Sequence, residues 1–559
     1  MSDLASGVGS EAVDASAVTS NIGADGVADQ LVAGGVSTLF GVPGVQLDFF
    51  VDALARRQEL LTFISCRHEQ GAAHMADGYA RASGRPGVLA AVPGPGVLNT
   101  MTGLATAFSC SSPVLALAVN LPTWAIDGGR GLLHEIRAQE TVLRSVTKSV
   151  RAVRSVGDLT AAVCDGLVAV RSERPQPVAI SIPENLFKEE LTGSSVAVPG
   201  SPRRVVPDPK SVARAAELLA SAERPVILVG GGVAAADASD ALGALASKLR
   251  APVVTTANGR GALSDRHPWT LTSLGGREVI PASDLVLIVG SRGVRMDGSP
   301  LVTDTPTILV NADPAYLGAP HRPTVALHSD ARLGLEALAA ELGETRSMWI
   351  TEDVNRIRTR CAAQIAELGE ISEWVGALRD GMADDDILVG ELTQVSYLSR
   401  VAFPVYQPRT YLSAGYQGAL GYGLATAIGA QVARPDVRAV SISGDGGFAY
   451  GMAELLTAVA YRIPATFVVF NDGAYGNVLR TQLEQFDGRT LGTTLHNPNF
   501  ADLGRVFGLD SFTATSPRHL TQLLKEAATA DRPTLVEVPV GAFPDPGPLV
   551  REGSHVPQT

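Results

Sequence analysis

The sequence is 559 residues long, 45% hydrophobic and 18% charged, which supplies apolar material for several buried cores and, at about 100–200 residues per domain, points to three domains. Its 57 acidic residues outnumber 45 basic ones for a net charge of -12, and with no Lys/Arg block there is no electrostatic footprint for binding nucleic acid. No apolar run reaches the ~18 residues of a membrane span, and Cys66, Cys110, Cys164 and Cys361 stand too far apart for a disulfide framework or a zinc ribbon, so a soluble protein of the reducing cytoplasm is expected.

In chain order, Met1 to Asp25 is rich in Ser, Ala and Gly with acidic Asp3, Glu11 and Asp14. Lacking a basic start and an apolar run, it reads as a loose tail and not a signal peptide. Short β-branched runs then alternate with Ala/Leu helical stretches, the pattern of parallel sheets covered by helices on both faces, so the class is α/β, doubly wound. Buried strands are expected at Gly87–Val92, Val114–Val119, Val226–Val229, Leu285–Val289, Val437–Ile442 and Thr466–Phe470. The Pro/Ser/Gly-rich stretch Thr192–Pro209 and the charged helical connector Glu341–Glu370 divide the chain into domains at 21–190, 207–342 and 375–545. The Pro/Gly-rich end after Phe543 reads as a surface tail or a late-ordering cap. Periodicity does not decide whether the first and third domains share a fold.

The most informative segment is Ile442-Ser443-Gly444-Asp445-Gly446-Gly447-Phe448, a strand leading into a glycine turn and a helix that runs on through Glu454 to Thr457. A carboxylate at such a strand end can hold a divalent ion while backbone N–H groups of the turn receive a phosphate. Gly-Asp-Gly is also an ordinary turn. The next strand ends in Asn471-Asp472-Gly473-Ala474-Tyr475-Gly476, so Asp445 and Asp472 are expected at the ends of neighbouring strands. Magnesium accepts few protein ligands and completes its oxygen shell from phosphates and water.

Gly-Asp-Gly followed by an Asn-bearing strand end resembles the thiamine diphosphate (ThDP) motif of the acetolactate-synthase and pyruvate-decarboxylase superfamily. The likeness extends to Gly34-Gly35-Val36 with Phe40 to Gly44, and closely to the run from Arg67-His68-Glu69-Gln70 through Asp77-Gly78-Tyr79-Ala80-Arg81. It continues in Gly94-Pro95-Gly96 with Asn99, in Thr255-Thr256 with Gly261-Ala262-Leu263, and in Gly421-Tyr422-Gly423-Leu424 with Ala427-Ile428-Gly429. It implies a pyrimidine-binding domain first, a Rossmann-like domain in the centre and a diphosphate-binding domain last. ThDP and Mg2+ would lie between the first domain of one subunit and the third of another, in a homodimer or tetramer.

Under this resemblance Glu69 hydrogen-bonds the aminopyrimidine and so activates the cofactor. Its setting between the apolar strand Leu61–Ile64 and the Ala-rich helix Gly71–Ala82 predicts burial; a carboxylate favoured by a helix N-terminus is the alternative. Leu420 would lie under the thiazolium and bend the cofactor, with an ordinary core leucine as the alternative. The metal would be held by Asp445, Asp472 and the Ala474 carbonyl. Further cofactor contacts are implied at Gly94, Asn99, Gln394, Gly418, Gly444, Gly446, Gly447, Tyr475, Gly476, Asn477 and Val478.

There are departures. Asp472 stands where the family usually has Asn, which adds negative charge beside the metal. Asn477 and Thr481 replace a Met and a Trp that shape the second-substrate pocket. The segment Leu132-Leu133-His134-Glu135-Ile136-Arg137-Ala138-Gln139 is also altered. His134, Gln139 and Thr481 are candidates for contacting substrate, with an exposed histidine and a polar helix face as the alternative. Cys110 stands where Asp is common and reads as packing. Val229 to Ala235 imitates a dinucleotide fingerprint, and Gly290-Ser291-Arg292 and Asn311 to Pro314 resemble flavin-lining segments, so FAD is left open.

The implied activity is decarboxylation of a 2-oxo acid with transfer of the acyl carbanion equivalent to a small-molecule acceptor, giving an acetolactate-like product. The alternatives are a simple 2-oxoacid decarboxylase, a C–C lyase, a sulfoacetaldehyde-type acetyltransferase and, from another class, a non-catalytic ThDP-binding partner subunit, against which the intact Glu69 argues.

Overall fold

The computed structural model describes residues 21–192, 196–295, 298–318 and 322–550. The expected N-terminal tail before residue 21 lies outside them. Three six-stranded sheets follow one another along the chain, and every pairing in them is parallel. Most strands are buried on both faces, as runs of Val, Ile, Leu and Ala require when helices cover both sides of a sheet. The strand expected at Val437–Ile442 runs Ala439–Gly444. The N–H of Arg438 is taken by the Asp386 side chain at 2.9 Å, and the ladder continues until Gly444 stands opposite Phe470.

The first sheet has the spatial order Thr62–Ser65, Thr38–Gly41, Gly87–Ala91, Val114–Asn120, Val178–Pro183, Ser149–Ala152. In chain sequence this is second, first, third, fourth, sixth, fifth. The third sheet repeats that order with Tyr411–Ser413, Ile387–Gly390, Ala439–Gly444, Thr466–Asn471, Thr534–Pro539 and Asp510–Thr513, so the two units share a topology that no sequence repeat betrays. The central sheet differs. From one edge it runs Thr270–Thr272, Val253–Thr255, Pro225–Val229, Leu285–Val289, Thr307–Asn311, Val325–His328, the nucleotide-fold order, which reverses between Pro225–Val229 and Leu285–Val289.

One apolar core runs from the first sheet into the third through Tyr79, Tyr422 and Phe467. Its centre is the packing of helix Glu69–Ser83 on helix Tyr422–Ala433. Two glycines bring these backbones together: a Cβ on Gly78 would collide with the Thr426 carbonyl, and one on Gly429 with the Met75 carbonyl. The expected connector contains helix Thr351–Ala366, whose Val354, Ile357 and Cys361 join Trp349 and Trp374 in a second core bridging the central and third sheets. At the C-terminal end, Gly547–Val550 forms a short helix, with Leu549 and Val550 packed on that core.

Candidate active site

The strand Ala439–Gly444 delivers Asp445 as the first residue of helix Asp445–Gly451, and its neighbour Thr466–Asn471 delivers Asp472. Asp445 is buried; its Oδ1 accepts the Gly446 N–H at 2.9 Å and its Oδ2 accepts the Asn497 amide at 2.5 Å. Asn497 also donates to Asn471 Oδ1 at 3.0 Å, and Asn471 in turn donates to the buried Glu537 at 2.8 Å. Asp472 Oδ1 accepts the Ala474 N–H at 3.2 Å. Burial and the adjacent Asp445 charge push the Asp472 carboxyl up to about 6, and burial also raises Asp445. Two carboxylates at adjacent strand ends, one of them disfavoured by its neighbour's charge and both by burial, have the oxygen chemistry that suits a divalent cation.

The glycine turn after Asp445 has a tertiary cause. A Cβ on Gly446 would collide with the Tyr475 ring, one on Gly447 with the Glu391 carboxylate, and one on Gly476 with the Asp472 carboxylate. Leu420 is half-buried between Gly418 and Gly421, both at positive φ. Its Cδ2 lies 3.5 Å from the position a Gly447 Cβ would take. Gln394 is the first residue of helix Gln394–Ala402 and is buried, its Oε1 without a partner among the described residues. The carboxylates, the bare turn and Leu420 thus share one face at the strand ends, which fits a diphosphate held through a metal and a ring resting on Leu420.

Glu69 begins helix Glu69–Ser83 in the first unit. It is buried, and its Oε2 accepts the Asn99 amide at 2.9 Å. The loop before it is held from the third unit by Glu454, which accepts the N–H groups of Arg67 at 3.1 Å and His68 at 2.9 Å and the Thr457 hydroxyl at 2.6 Å. Gln70 reaches the Leu420 carbonyl at 3.2 Å.

The Gly94 turn near Glu69 is pinned by Gln139, whose Oε1 accepts the Gly94 N–H at 2.9 Å and whose Nε2 donates to the Val119 carbonyl at 2.8 Å. Gln139 is therefore buried with both amide ends on the backbone, a brace for the Gly94 turn at a position the sequence offered as a substrate contact or as part of a polar helix face. His134 has φ +66°, and its Nδ1 lies 3.1 Å from Gln46 Oε1. A Cβ on Gly94 would meet the His134 carbonyl, which places this histidine beside the turn. Asn477 accepts from Arg480 at 2.6 Å, Thr481 donates to the Asn477 carbonyl at 3.1 Å, and Val478 is exposed. Arg480 also pairs with Asp545 at 2.8 Å, which ties the C-terminal segment to this helix. Cys110 is a packing residue: its Sγ lies 3.5 Å from the Ser413 carbonyl, and burial pushes the thiol up.

Family models match along the chain in the same order as the three sheets. Residues 22–142 match the N-terminal TPP binding domain of thiamine pyrophosphate enzymes, 212–338 their central domain and 391–538 their C-terminal TPP binding domain. The chain belongs to the thiamine pyrophosphate enzyme family. It is 31% identical over 553 residues to a probable acetolactate synthase large subunit from Methanococcus aeolicus, covering 92% of this chain and 91% of that protein. It is 32% identical to the acetolactate synthase large subunit of Parasynechococcus marenigrum, over 97% and 91% of the two chains. It is 34% identical to a probable 2-ketoarginine decarboxylase from Pseudomonas aeruginosa, over 88% and 89%. The protein is thus a thiamine-diphosphate-dependent enzyme of the carboligase/decarboxylase kind.

In this thiamine pyrophosphate enzyme the sequence reading passed over Glu391, Glu454, Asn497 and Gln46. Each is a lone polar residue outside any spacing pattern, and Glu454 sat in a stretch read only as helix. At the strand-order reversal of the central unit, Gly232 N–H donates to the Gly290 carbonyl at 3.0 Å, and a Cβ on Gly232 would lie 2.6 Å from the Gly290 Cα, so the two glycine turns pack directly on each other. Asn311 donates to the Ser291 carbonyl at 3.1 Å and Arg292 stacks on Tyr416. Among the described residues no helix is long and apolar enough to cross a membrane.

Proposed function

We propose that the enzyme decarboxylates a 2-oxo acid and transfers the acyl unit to a small-molecule acceptor, with Mg2+ anchoring the cofactor diphosphate. When bound, ThDP would supply the electron sink that decarboxylation of a 2-oxo acid requires. The rest falls to the chain. Asp445, Asp472 and the Ala474 carbonyl would hold the metal, and the Gly446–Gly447 turn, bare of Cβ atoms, lets a phosphate approach the backbone closely. Leu420 supports the ring and sets its orientation. Glu69, buried and oriented by Asn99, holds a proton at the pyrimidine nitrogen it faces. The observation that carries the reading is the Asp445–Asp472 pair ending adjacent strands beside a turn bare of Cβ atoms.

The site is proposed to be shared between two chains. Within one chain the flank of the Glu69 helix toward the third unit is already filled, since a Cβ on Gly71 would collide with Glu454 and Gln70 is bonded to the Leu420 carbonyl. A cofactor reaching Glu69 approaches from the other flank, where a second copy can bring its own Asp445. Exposed Leu98, Leu133, Tyr450 and Val478 around the two half-sites support such a contact. The four cysteines, all free, support a cytoplasmic setting.

A second reading is decarboxylation without ligation. It is favoured by the likeness to the 2-ketoarginine decarboxylase and by the polar Asn477 and Thr481, one turn apart on helix Gly476–Gln485. Turnover of pyruvate and of 2-oxo acids with longer, polar and guanidino side chains, with and without ThDP and Mg2+, tests both. Acetolactate from pyruvate supports the carboligase, and aldehyde alone supports the decarboxylase. Glu69→Gln is expected to lower ThDP-dependent turnover at least ~100-fold. No ThDP-dependent consumption of any of these acids by the wild type refutes the reading.

A further inference from the structure

Strand Ile387–Gly390 ends in Glu391, a carboxylate only 1% exposed. Its Oε1 accepts the Gly421 N–H at 2.8 Å; its Oε2 accepts the Gly423 N–H at 2.9 Å and the Ser443 hydroxyl at 2.9 Å. Burial raises its carboxyl while these three donors act in the opposite direction, and no cation contributes. A buried carboxylate without a counter-ion is costly, and it has one property that a neutral side chain of the same size lacks: it accepts on both oxygens at once.

The donors come from the pieces that make the diphosphate end of the site. Gly421 directly follows Leu420 and Gly423 lies two residues further on, and Ser443 directly precedes Gly444 and Asp445. Gly447 lies so close that a Cβ there would collide with Glu391 Oε1 while standing 3.5 Å from Leu420 Cδ2. The Leu420 turn enters its helix through Gly421 at φ +78°, so its leading N–H groups are satisfied from outside the helix, by this side chain.

We propose that Glu391 is a positioning residue: by holding the Gly421 and Gly423 N–H groups together with the Ser443 hydroxyl, it fixes Leu420 against the Gly446–Gly447 turn and thereby the orientation of the bound cofactor ring. The inference rests on the reading of this site as a ThDP site with Leu420 beneath the ring.

The test is Glu391→Gln in the full-length enzyme, measured with ThDP and Mg2+. Glutamine keeps the shape, removes one acceptor and turns an NH2 group against a backbone N–H. The expected result is a kcat lowered about 10- to 100-fold with KM nearly unchanged, because a small misplacement of the ring is felt in the chemical step. The cofactor-free protein should melt lower, because a buried backbone N–H loses its carboxylate acceptor, while calorimetry should find ThDP affinity within about threefold, since no group that touches the cofactor is removed. Leu420→Ala alone should also lower kcat, and the double variant should be little worse than either single one, because the two act through one placement. Ser443→Ala, which removes one donor of the three, should lower kcat about 2- to 5-fold in the same direction, and it decides the matter if Glu391→Gln does not fold. Unchanged kcat in the folded variants, effects that multiply with Leu420→Ala, or a loss of ThDP binding that tracks a fall in cofactor-free stability would overturn the proposal. A wild type without ThDP-dependent turnover defeats the underlying site reading instead, and is seen before any variant is made.

Discussion

His74 lies within the helix that begins at Glu69, fully buried, its ring edge-on to Tyr422 with centroids 5.6 Å apart. Neither ring nitrogen has a partner among the described residues, and burial pushes its pKa down to about 4 from an ordinary 6.5. The folded chain therefore holds His74 neutral where the unfolded chain would already be protonated. Stability from this residue is complete above pH 6.5 and is lost as the pH falls toward 4. At about 1.4 kcal/mol per pH unit, the loss between pH 6.5 and 5 is about 2 kcal/mol, and below pH 4 it reaches about 3 kcal/mol. His74→Phe keeps an edge-on ring against Tyr422 and removes the titration. Urea unfolding of both proteins at pH 7.5 and 5.0 is the assay. The wild type should lose about 2 kcal/mol more than the variant on acidification. The other buried acids, Asp77, Glu391, Asp445 and Asp472, are common to both proteins and cancel in the comparison. Parallel pH profiles, or a steeper one in the variant, would refute the reasoning.

Asp472→Asn removes a carboxylate whose folded pKa is raised to about 6. Stability from its protonated form is full below an ordinary 3.8 and is lost as pH rises through 6, so at pH 7.5 the metal-free protein should gain from the substitution. The group is partly solvent-screened, and the gain expected in melts with a chelator is about 1 kcal/mol. Magnesium titration of ThDP binding should show weaker metal dependence with the cofactor still bound; a less stable metal-free variant would contradict the charge argument. Gly429→Ala drives a Cβ into the Met75 carbonyl. Despite alanine's better helix propensity, it should destabilise the first and third units by about 2 kcal/mol or more, read as a lowered thermal midpoint. An unchanged midpoint would mean that the helix pair can part without cost.

Most of what local pattern encodes was legible. Buried strands appear as β-branched runs because a strand covered on both faces has no polar alternation to offer. Of the strands foreseen, only Val437–Ile442 moved appreciably, by two residues, where the side chain of Asp386, just ahead of the neighbouring strand, claims a backbone N–H. Asp445 and Asp472 could be placed at adjacent strand ends because each follows a strand directly and the two strands are consecutive.

Glu391, Glu454 and Asn497 were not legible. Apart from the local Thr457 hydroxyl on Glu454, their partners lie 26 to 387 residues away in the chain, and no spacing rule connects a lone polar side chain to the groups it will meet. Gln139 was legible as a candidate but not as a brace, for the same cause: its partners, the Gly94 and Val119 backbones, are brought to it only by the fold. The equal strand order of the first and third sheets was likewise hidden, since topology is a matter of which strands pair and not of which residues compose them. The sequence by itself determined the fold class, the two carboxylates and the bare turn, because these rest on period, turn chemistry and the absence of a Cβ. Only the tertiary structure decided what holds Leu420 and Glu69 in place, because the partner of a buried polar atom is chosen by long-range packing, in which neighbours in space are strangers in the chain.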